Sequence, residues 1–251
     1  LAEKLVIERI EHADALHLHR FKYYDFAMAA FVAILICSNL IGAAKQAQFF
    51  ELHIGSWNVG MFGAGILFFP LSYVLGDVLT EVYGYARARR VVWAGFAAVL
   101  FMAFMAWVVV AIPPAPGWGG QEAYEMVFGL TPRIVFASIL AFWAGELSNA
   151  FVMARMKVAS GGKHLWQRTI GSTVVGQGVD SLIFYPVAFL GTAGWPVASV
   201  VTVMITNYVL KVLWEAVLTP VTYRVVAMLK KAEGVDVYDT DTAFTPFSIR
   251  S

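Results

Sequence analysis

The chain has 251 residues, of which 59% are hydrophobic and only 14% charged, with a formal net charge of +1 and one cysteine. A soluble domain is about 45–50% apolar and about 25% charged, so a mean hydropathy of +0.68 excludes a water-soluble globular protein. The charges form no basic stripe, which excludes a nucleic-acid-binding domain, and the lone Cys37 excludes an intramolecular disulfide framework and a cysteine-rich metal site.

Residues 1–23 are charged and mildly amphipathic and predict a short helix on a membrane surface. No cleavable leader is expected, because a long charged stretch precedes the first apolar run near Phe26. Six apolar runs follow, at residues 24–44, 61–83, 91–112, 132–156, 165–190 and 197–229. Each approaches or exceeds the roughly 20 residues that a helix needs to cross a bilayer, and the last is long enough to tilt or extend into water. Residues 45–60 read as a loop with Gly55 and Gly60, Pro113, Pro114 and Pro116 end the third run, and an interfacial helical turn is expected at 124–128. The expected organisation is an all-α, six-helix membrane domain over 24–229, with an N-terminal segment 1–23 and a loose polar tail 230–251.

Lys and Arg set the orientation. Lys4, Arg9, Arg20, Lys22, Arg87, Arg89, Arg90, Arg155, Lys157, Lys163, Arg168, Arg224, Lys230, Lys231 and Arg250 fall on one side of this arrangement. The other side has Lys45 and Arg133, and Lys211 lies within a span. The positive-inside rule then places both termini in the cytoplasm of a multi-pass plasma-membrane protein.

Ionisable groups inside a bilayer are costly, about 2.5–3.5 kcal/mol at the centre of a helix even on insertion scales. Here the spans hold Asp77 and Glu81 in the second, Glu146 in the fourth, Asp180 in the fifth, and Lys211 and Glu215 in the sixth, joined by Asn39, Asn149, Gln177 and Asn207. Their spacings put Asp77 with Glu81, Glu146 with Asn149, Thr173 with Gln177 and Asp180, and Asn207 with Lys211 and Glu215 on single helix faces. Four helices thus bring polar faces that are expected to meet. Helix–helix glue explains an isolated Asn, but five carboxylates against one lysine point to a cavity for protons, a cation or a donor-rich planar ligand. The predicted binding residues are Asn39, Asp77, Glu146, Asn149, Gln177, Asp180, Lys211 and Glu215. Glu146 is the leading carboxylate and Asp180 the second; Lys211 is expected to balance Glu215 one turn away, and Glu81 to pair with Arg87 or Arg89. No metal site and no cofactor are expected.

The run Phe69-Pro70-Leu71-Ser72-Tyr73-Val74-Leu75-Gly76-Asp77-Val78-Leu79-Thr80-Glu81-Val82-Tyr83-Gly84-Tyr85-Ala86-Arg87-Ala88-Arg89-Arg90 strongly resembles the signature of the queuosine precursor transporters, a vitamin-uptake-like family. So do Gly145-Glu146 with Asn149, Ser172-Thr173 with Gly176-Gln177 and Val179-Asp180-Ser181, and Tyr208 with Lys211, Glu215, Thr219 and Pro220. The resemblance covers about residues 24–229 and implies inner-membrane uptake of 7-cyano-7-deazaguanine and its aminomethyl relative for tRNA modification. It also implies a six-helix fold similar to the substrate-binding components of energy-coupling-factor transporters.

Other readings stay open at this point. Another purine-like or vitamin-like substrate fits the same residues, as does a channel. An intramembrane protease is the enzyme alternative. However, Gly176-Gln177-Gly178-Val179-Asp180 departs by one residue from an aspartyl-protease motif, and all five histidines lie outside the spans. The chain is therefore read as a non-enzyme. It has no P-loop pattern, so a self-sufficient secondary or facilitative carrier is expected, with an external ATPase module or a homo-oligomer conceivable.

Overall fold

The computed structural model describes residues 8–10, 21–42, 46–48, 53–54, 57–58, 61–63, 67–128, 132–191, 196–240 and 242–247. Among them the helices are α1 (Tyr24–Cys37, continued by a π-helical turn Ser38–Gly42), α2 (Phe69–Tyr83), α3 (Tyr85–Ala111), α4 (Gln121–Phe128), α5 (Pro132–Ala159), α6 (Leu165–Phe189) and α7 (Val197–Glu233). Short strands β1 (Glu8–Ile10), β2 (Gln46–Gln48), β3 (His53–Ile54), β4 (Trp57–Asn58), β5 (Met61–Gly63) and β6 (Val235–Val237) complete the described elements.

Local chemistry sets the helix ends. Pro70 sits in the first turn of α2, where its missing N–H costs nothing. Gly84, at φ +84°, breaks the chain between α2 and α3, and a side chain there would run into Val237. Gly234 closes α7 in the left-handed region after Lys230 and Lys231, whose charges suit a helix C-terminus.

Polarity is arranged as in a membrane protein. Helical stretches carried by α1, α3, α5 and α7 are long and apolar enough to cross a membrane. Their outer faces expose Phe101, Trp107, Phe136, Leu213 and Val217, while Asp77, Glu146 and Asn149 are wholly buried. α2 is the central element: from Ser72 to Tyr85 every residue except Leu75 is buried. One side of α2 puts Val74, Val78 and Val82 into an apolar core with Phe31, Leu35, Val91, Val99 and Met153. Its other side carries Tyr73, Asp77 and Thr80, all buried.

The helices behind this polar side approach closely. A Cβ at Gly145 would lie 3.0 Å from the Gly176 carbonyl, and one at Gly176 would lie 2.9 Å from the Gly145 carbonyl, so α5 and α6 touch backbone to backbone. At one end of the bundle β1 pairs in parallel with β6, with Glu8 opposite Val235 and Ile10 opposite Val237. There Glu233 also accepts the N–H groups of Lys22 and Tyr23, both at 2.8 Å. Segments 8–10 and 22–23 therefore meet residues 233–237.

Several expectations need correction. The second helix begins at Phe69, not Met61, because Met61–Gly63 is a strand paired with β2. Pro70 then starts the helix. The expected loop 45–60 holds the antiparallel pair β3–β4 inside the pair β2–β5, and its remaining residues lie outside the described set. The surface helix expected over 1–23 falls largely outside the described residues, but Glu8–Ile10 is a strand. The tail is not loose over its described part: Asp239 accepts the Tyr85 N–H at the start of α3, and Phe244 packs on Tyr85 and Phe151.

Candidate functional site

Side chains from α2, α5, α6 and α7 converge in one buried polar cluster, here termed the chamber. Asp77 Oδ1 accepts a hydrogen bond from Asn149 Nδ2 at 2.7 Å and a longer one from Ser172 Oγ at 3.5 Å. Glu146 lies over Gly76, the residue next to Asp77. The small Gly145 brings Tyr73 and Asp180 together: its Cβ would lie 3.1 Å from the Tyr73 hydroxyl and 2.9 Å from Asp180 Cβ. Asp180 accepts from Lys211 Nζ at 2.8 Å, joining α6 to α7. Glu215, one turn beyond Lys211, is within electrostatic reach of both Asp77 and Glu146.

Many of these polar atoms have no hydrogen-bond partner among the described residues: Asp77 Oδ2, both oxygens of Glu146, both of Glu215, Asn149 Oδ1 and Gln177 Oε1. The hydroxyls of Tyr73, Thr173 and Ser181 are in the same state. Native proteins pair more than about 90% of buried polar groups. Leaving a cluster of acceptors unpaired on four helices is costly, and a proton, a water molecule or a ligand's donor would each relieve that cost. Glu146 is the extreme case, fully buried with both oxygens unmatched.

The sequence-predicted residues divide. Asp77, Glu146, Asn149, Gln177, Asp180, Lys211 and Glu215 fall within the convergent helices, on faces that are buried or nearly so. Asn39 sits elsewhere. Its Nδ2 donates to the Leu35 carbonyl at 2.9 Å and its Oδ1 accepts from Ser138 at 3.4 Å. Ser138 is about two turns along α5 from Glu146. Lys211 reaches across to Asp180 on α6 at 2.8 Å, and neither oxygen of Glu215 accepts a hydrogen bond among the described residues. Glu81 is held from three other helices, α5, α6 and α7. Its partners are Arg168 at 2.8 Å, Lys230 at 2.7 Å and Lys157 at 3.6 Å. Arg87 lies over the Phe21 ring and Arg89 donates to the carbonyls of Ala243 and Thr245.

The aromatic residues that flank the polar stripes also divide. Tyr73 is buried in the chamber, whereas Trp143 packs on Trp93 and Phe247, and Trp214 is exposed. Ser181 was not among the predicted binding residues. Its signal is its place on the same α6 stripe as Gln177, i to i+4. Among the described residues no cluster of His, Cys, Asp and Glu suits a metal ion.

Comparison with known proteins identifies the family of the chain. The family described as "Putative vitamin uptake transporter" matches residues 63–225, which contain every chamber residue. The "Probable queuosine precursor transporter" of Bacillus subtilis (strain 168) is 33% identical over 199 residues, 79% of this chain and 82% of its own length. The "Queuosine precursor transporter" of Escherichia coli (strain K12) is 25% identical over 125 residues, 50% of this chain and 54% of that protein. A "Probable queuosine precursor transporter" of Haemophilus influenzae is 24% identical over 130 residues, 51% of this chain and 52% of that protein. No solved structure matches. With its exposed apolar helices, its buried polar chamber and a match over most of its length, this chain belongs to the vitamin uptake transporter family of membrane proteins.

Proposed function

We propose that the chain is a carrier that imports 7-deazaguanine precursors of queuosine, 7-cyano-7-deazaguanine and its aminomethyl relative, across the bacterial inner membrane for tRNA modification. The names of its relatives supply the substrate class. The single observation that carries the reading is the unmatched Glu146 carboxylate, wholly buried beside Asn149. A deazaguanine edge presents a ring N–H and an exocyclic NH₂ side by side, which suit the two oxygens of one carboxylate. Its carbonyl needs a donor, and Gln177, Lys211 or the Tyr73, Thr173 and Ser181 hydroxyls supply candidates. A planar ring edge-on to Glu146 can also face the Tyr73 ring.

In this reading six helices cross the membrane with both termini cytoplasmic, in a fold like that of the energy-coupling-factor substrate-binding components. The parallel β1–β6 pair supports the shared side of the termini. α2 is short because it is sheathed by the other helices rather than by lipid. Transport is secondary or facilitative and needs no catalytic residue in this chain.

The test is genetic. A bacterial strain unable to make 7-cyano-7-deazaguanine, and lacking its own importer, is given this chain and supplied with the base. Queuosine in tRNA should reappear when the base is supplied, and Glu146→Gln should raise the base concentration required. Absence of queuosine with the protein in the membrane would overturn the substrate class.

A further inference from the structure

On the side where the chain ends meet, a second polar cluster adjoins the chamber, and its charges are paired. Glu81 follows Asp77 by one turn of α2, and Arg168 precedes Ser172, a partner of Asp77, by one turn of α6. Arg168 and Lys230 both hold Glu81, and Lys157 stands 3.6 Å from it. Lys157 and Lys230 also share Asp236, at 2.6 and 2.7 Å. Lys157 further donates to the main-chain carbonyls of Glu81 and Val237, both at 2.6 Å. One charged knot therefore fastens α2, α5, α6 and α7, the four helices that build the chamber.

Asp236 differs from the other members. It is carried by β6, not by a chamber helix, and its side chain is 23% exposed, against 15% for Lys230 and 1% for Glu81, Lys157 and Arg168. The described residues of the segment that bears it, 235–240 and 242–247, lie at the same end of the bundle. Asp239 caps α3, Arg89 holds the carbonyls of Ala243 and Thr245, and Trp93 Nε1 donates to the Pro246 carbonyl at 2.9 Å. Phe244 lies against Phe151, and Phe247 against Trp143. After β6 the described part of the segment has no helix or strand of its own, so it is held by contacts that can be made and broken singly.

We propose that segment 235–247 is a latch and the Glu81 knot the inner gate of the carrier, an inference that rests on the transport reading above. A substrate leaving the chamber toward this end must part helices that the knot ties together. The knot opens most readily at Asp236, where water can replace the carboxylate. Undocking of the segment frees Lys157 and Lys230 from their second anion, leaves three cations on one carboxylate, and lets α5 and α7 separate from α2.

Two measurements test this. Thr169 is fully buried between the knot and Ser172. In a Cys37→Ser background, Thr169→Cys should react slowly with a membrane-impermeant maleimide applied from the side of the termini. Adding Asp236→Asn should speed labelling at least about tenfold. An unchanged rate would overturn the latch, and because the readout is accessibility, it stands whatever the substrate is. Separately, Phe151→Cys with Phe244→Cys should be bridged by a short, reducible bifunctional thiol reagent. Bridging should stop uptake of 7-cyano-7-deazaguanine into proteoliposomes, and reductant should restore it. Full uptake with the bridge verified by mass would overturn the proposal. If the double variant shows no uptake before bridging, the labelling rate alone decides. Should wild type show no uptake while Asp236→Asn still speeds labelling, the substrate reading fails and the latch survives.

Discussion

The carboxylate of Glu146 on α5 occupies the space that a side chain at Gly76 on α2 would fill: a Cβ there would lie 3.1 Å from Glu146 Cδ and would overlap Oε1. Gly76 is thus the socket that lets a buried carboxylate stand beside Asp77. Ala favours a helix over Gly by about 1 kcal/mol, so Gly76→Ala should not harm α2 itself. It should displace Glu146 at an overpacking cost of about 1–3 kcal/mol. Ligand affinity is expected to fall, because the displaced carboxylate no longer meets the ligand's donors. Isothermal titration of the purified variant checks this; wild-type affinity would show that Glu146 needs no socket.

Lys211 and Asp180 form the chamber's hydrogen-bonded ion pair, with side chains 10% and 9% exposed. Removing one partner of a buried pair leaves the other charge uncompensated and costs about 3–5 kcal/mol, with the lower end fitting this partly wetted pair. Lys211→Ala should therefore lower the melting temperature in detergent and abolish binding. Adding Asp180→Asn to the same chain should recover the melting temperature but not the binding. Recovery of neither would mean that Lys211 is fixed by something other than Asp180.

The latch segment should respond to acid. Burial acts to raise the Asp236 carboxyl, but the ammonium groups of Lys157 and Lys230 outweigh it and hold Asp236 below the ordinary carboxylate range. A lowered folded-state value stabilises docking above the unfolded value of about 3.9 and loses that contribution as pH falls through the folded value. Asp239 acts with the opposite sign, since burial raises its carboxyl and its contribution fades as pH rises. The Asp236 part is isolated as wild type minus Asp236→Asn. Hydrogen exchange at 235–240, corrected for intrinsic rates, should show wild type losing protection on the acid side and the variant showing no such loss.

Topology is predicted by the Lys and Arg asymmetry and by the pairing of the chain ends in β1–β6. A C-terminal fusion to a fluorescent protein that matures only in the cytoplasm should be bright. The same fusion to a phosphatase active only outside should be silent. The reverse pattern would invert the carrier.

Long apolar runs were legible because bilayer length and hydropathy act on whole helices. The α1, α3, α5, α6 and α7 runs sit within a few residues of the expected ones. The chamber was legible where polar residues recur on one face, as with Glu146 and Asn149 or Gln177 and Asp180. Spacing within a helix cannot report contacts between helices, so the Lys211–Asp180 pair and the Glu81–Arg168 pair were both missed. Asn39 shows the converse: its residue type suits the chamber, but the π-helical turn Ser38–Gly42 seats it beside Ser138. The docked tail left no periodic trace, because it has no helix or strand after β6 and is held at scattered points, through main-chain carbonyls by Arg89 and Trp93 and through the side chains of Asp239 and Phe244.

Equilibrium binding of 7-cyano-7-deazaguanine to the purified protein, compared among wild type, Glu146→Gln and Asp180→Asn, is the most direct measurement. Glu146→Gln puts a donor where the ligand already offers donors, a loss of about 1–3 kcal/mol or roughly 5- to 150-fold in affinity. Wild type should bind saturably, guanine more weakly, and Glu146→Gln should lose that factor while its melting temperature holds. Equal affinity in all three proteins would show that the polar chamber ties helices together and that the substrate binds elsewhere.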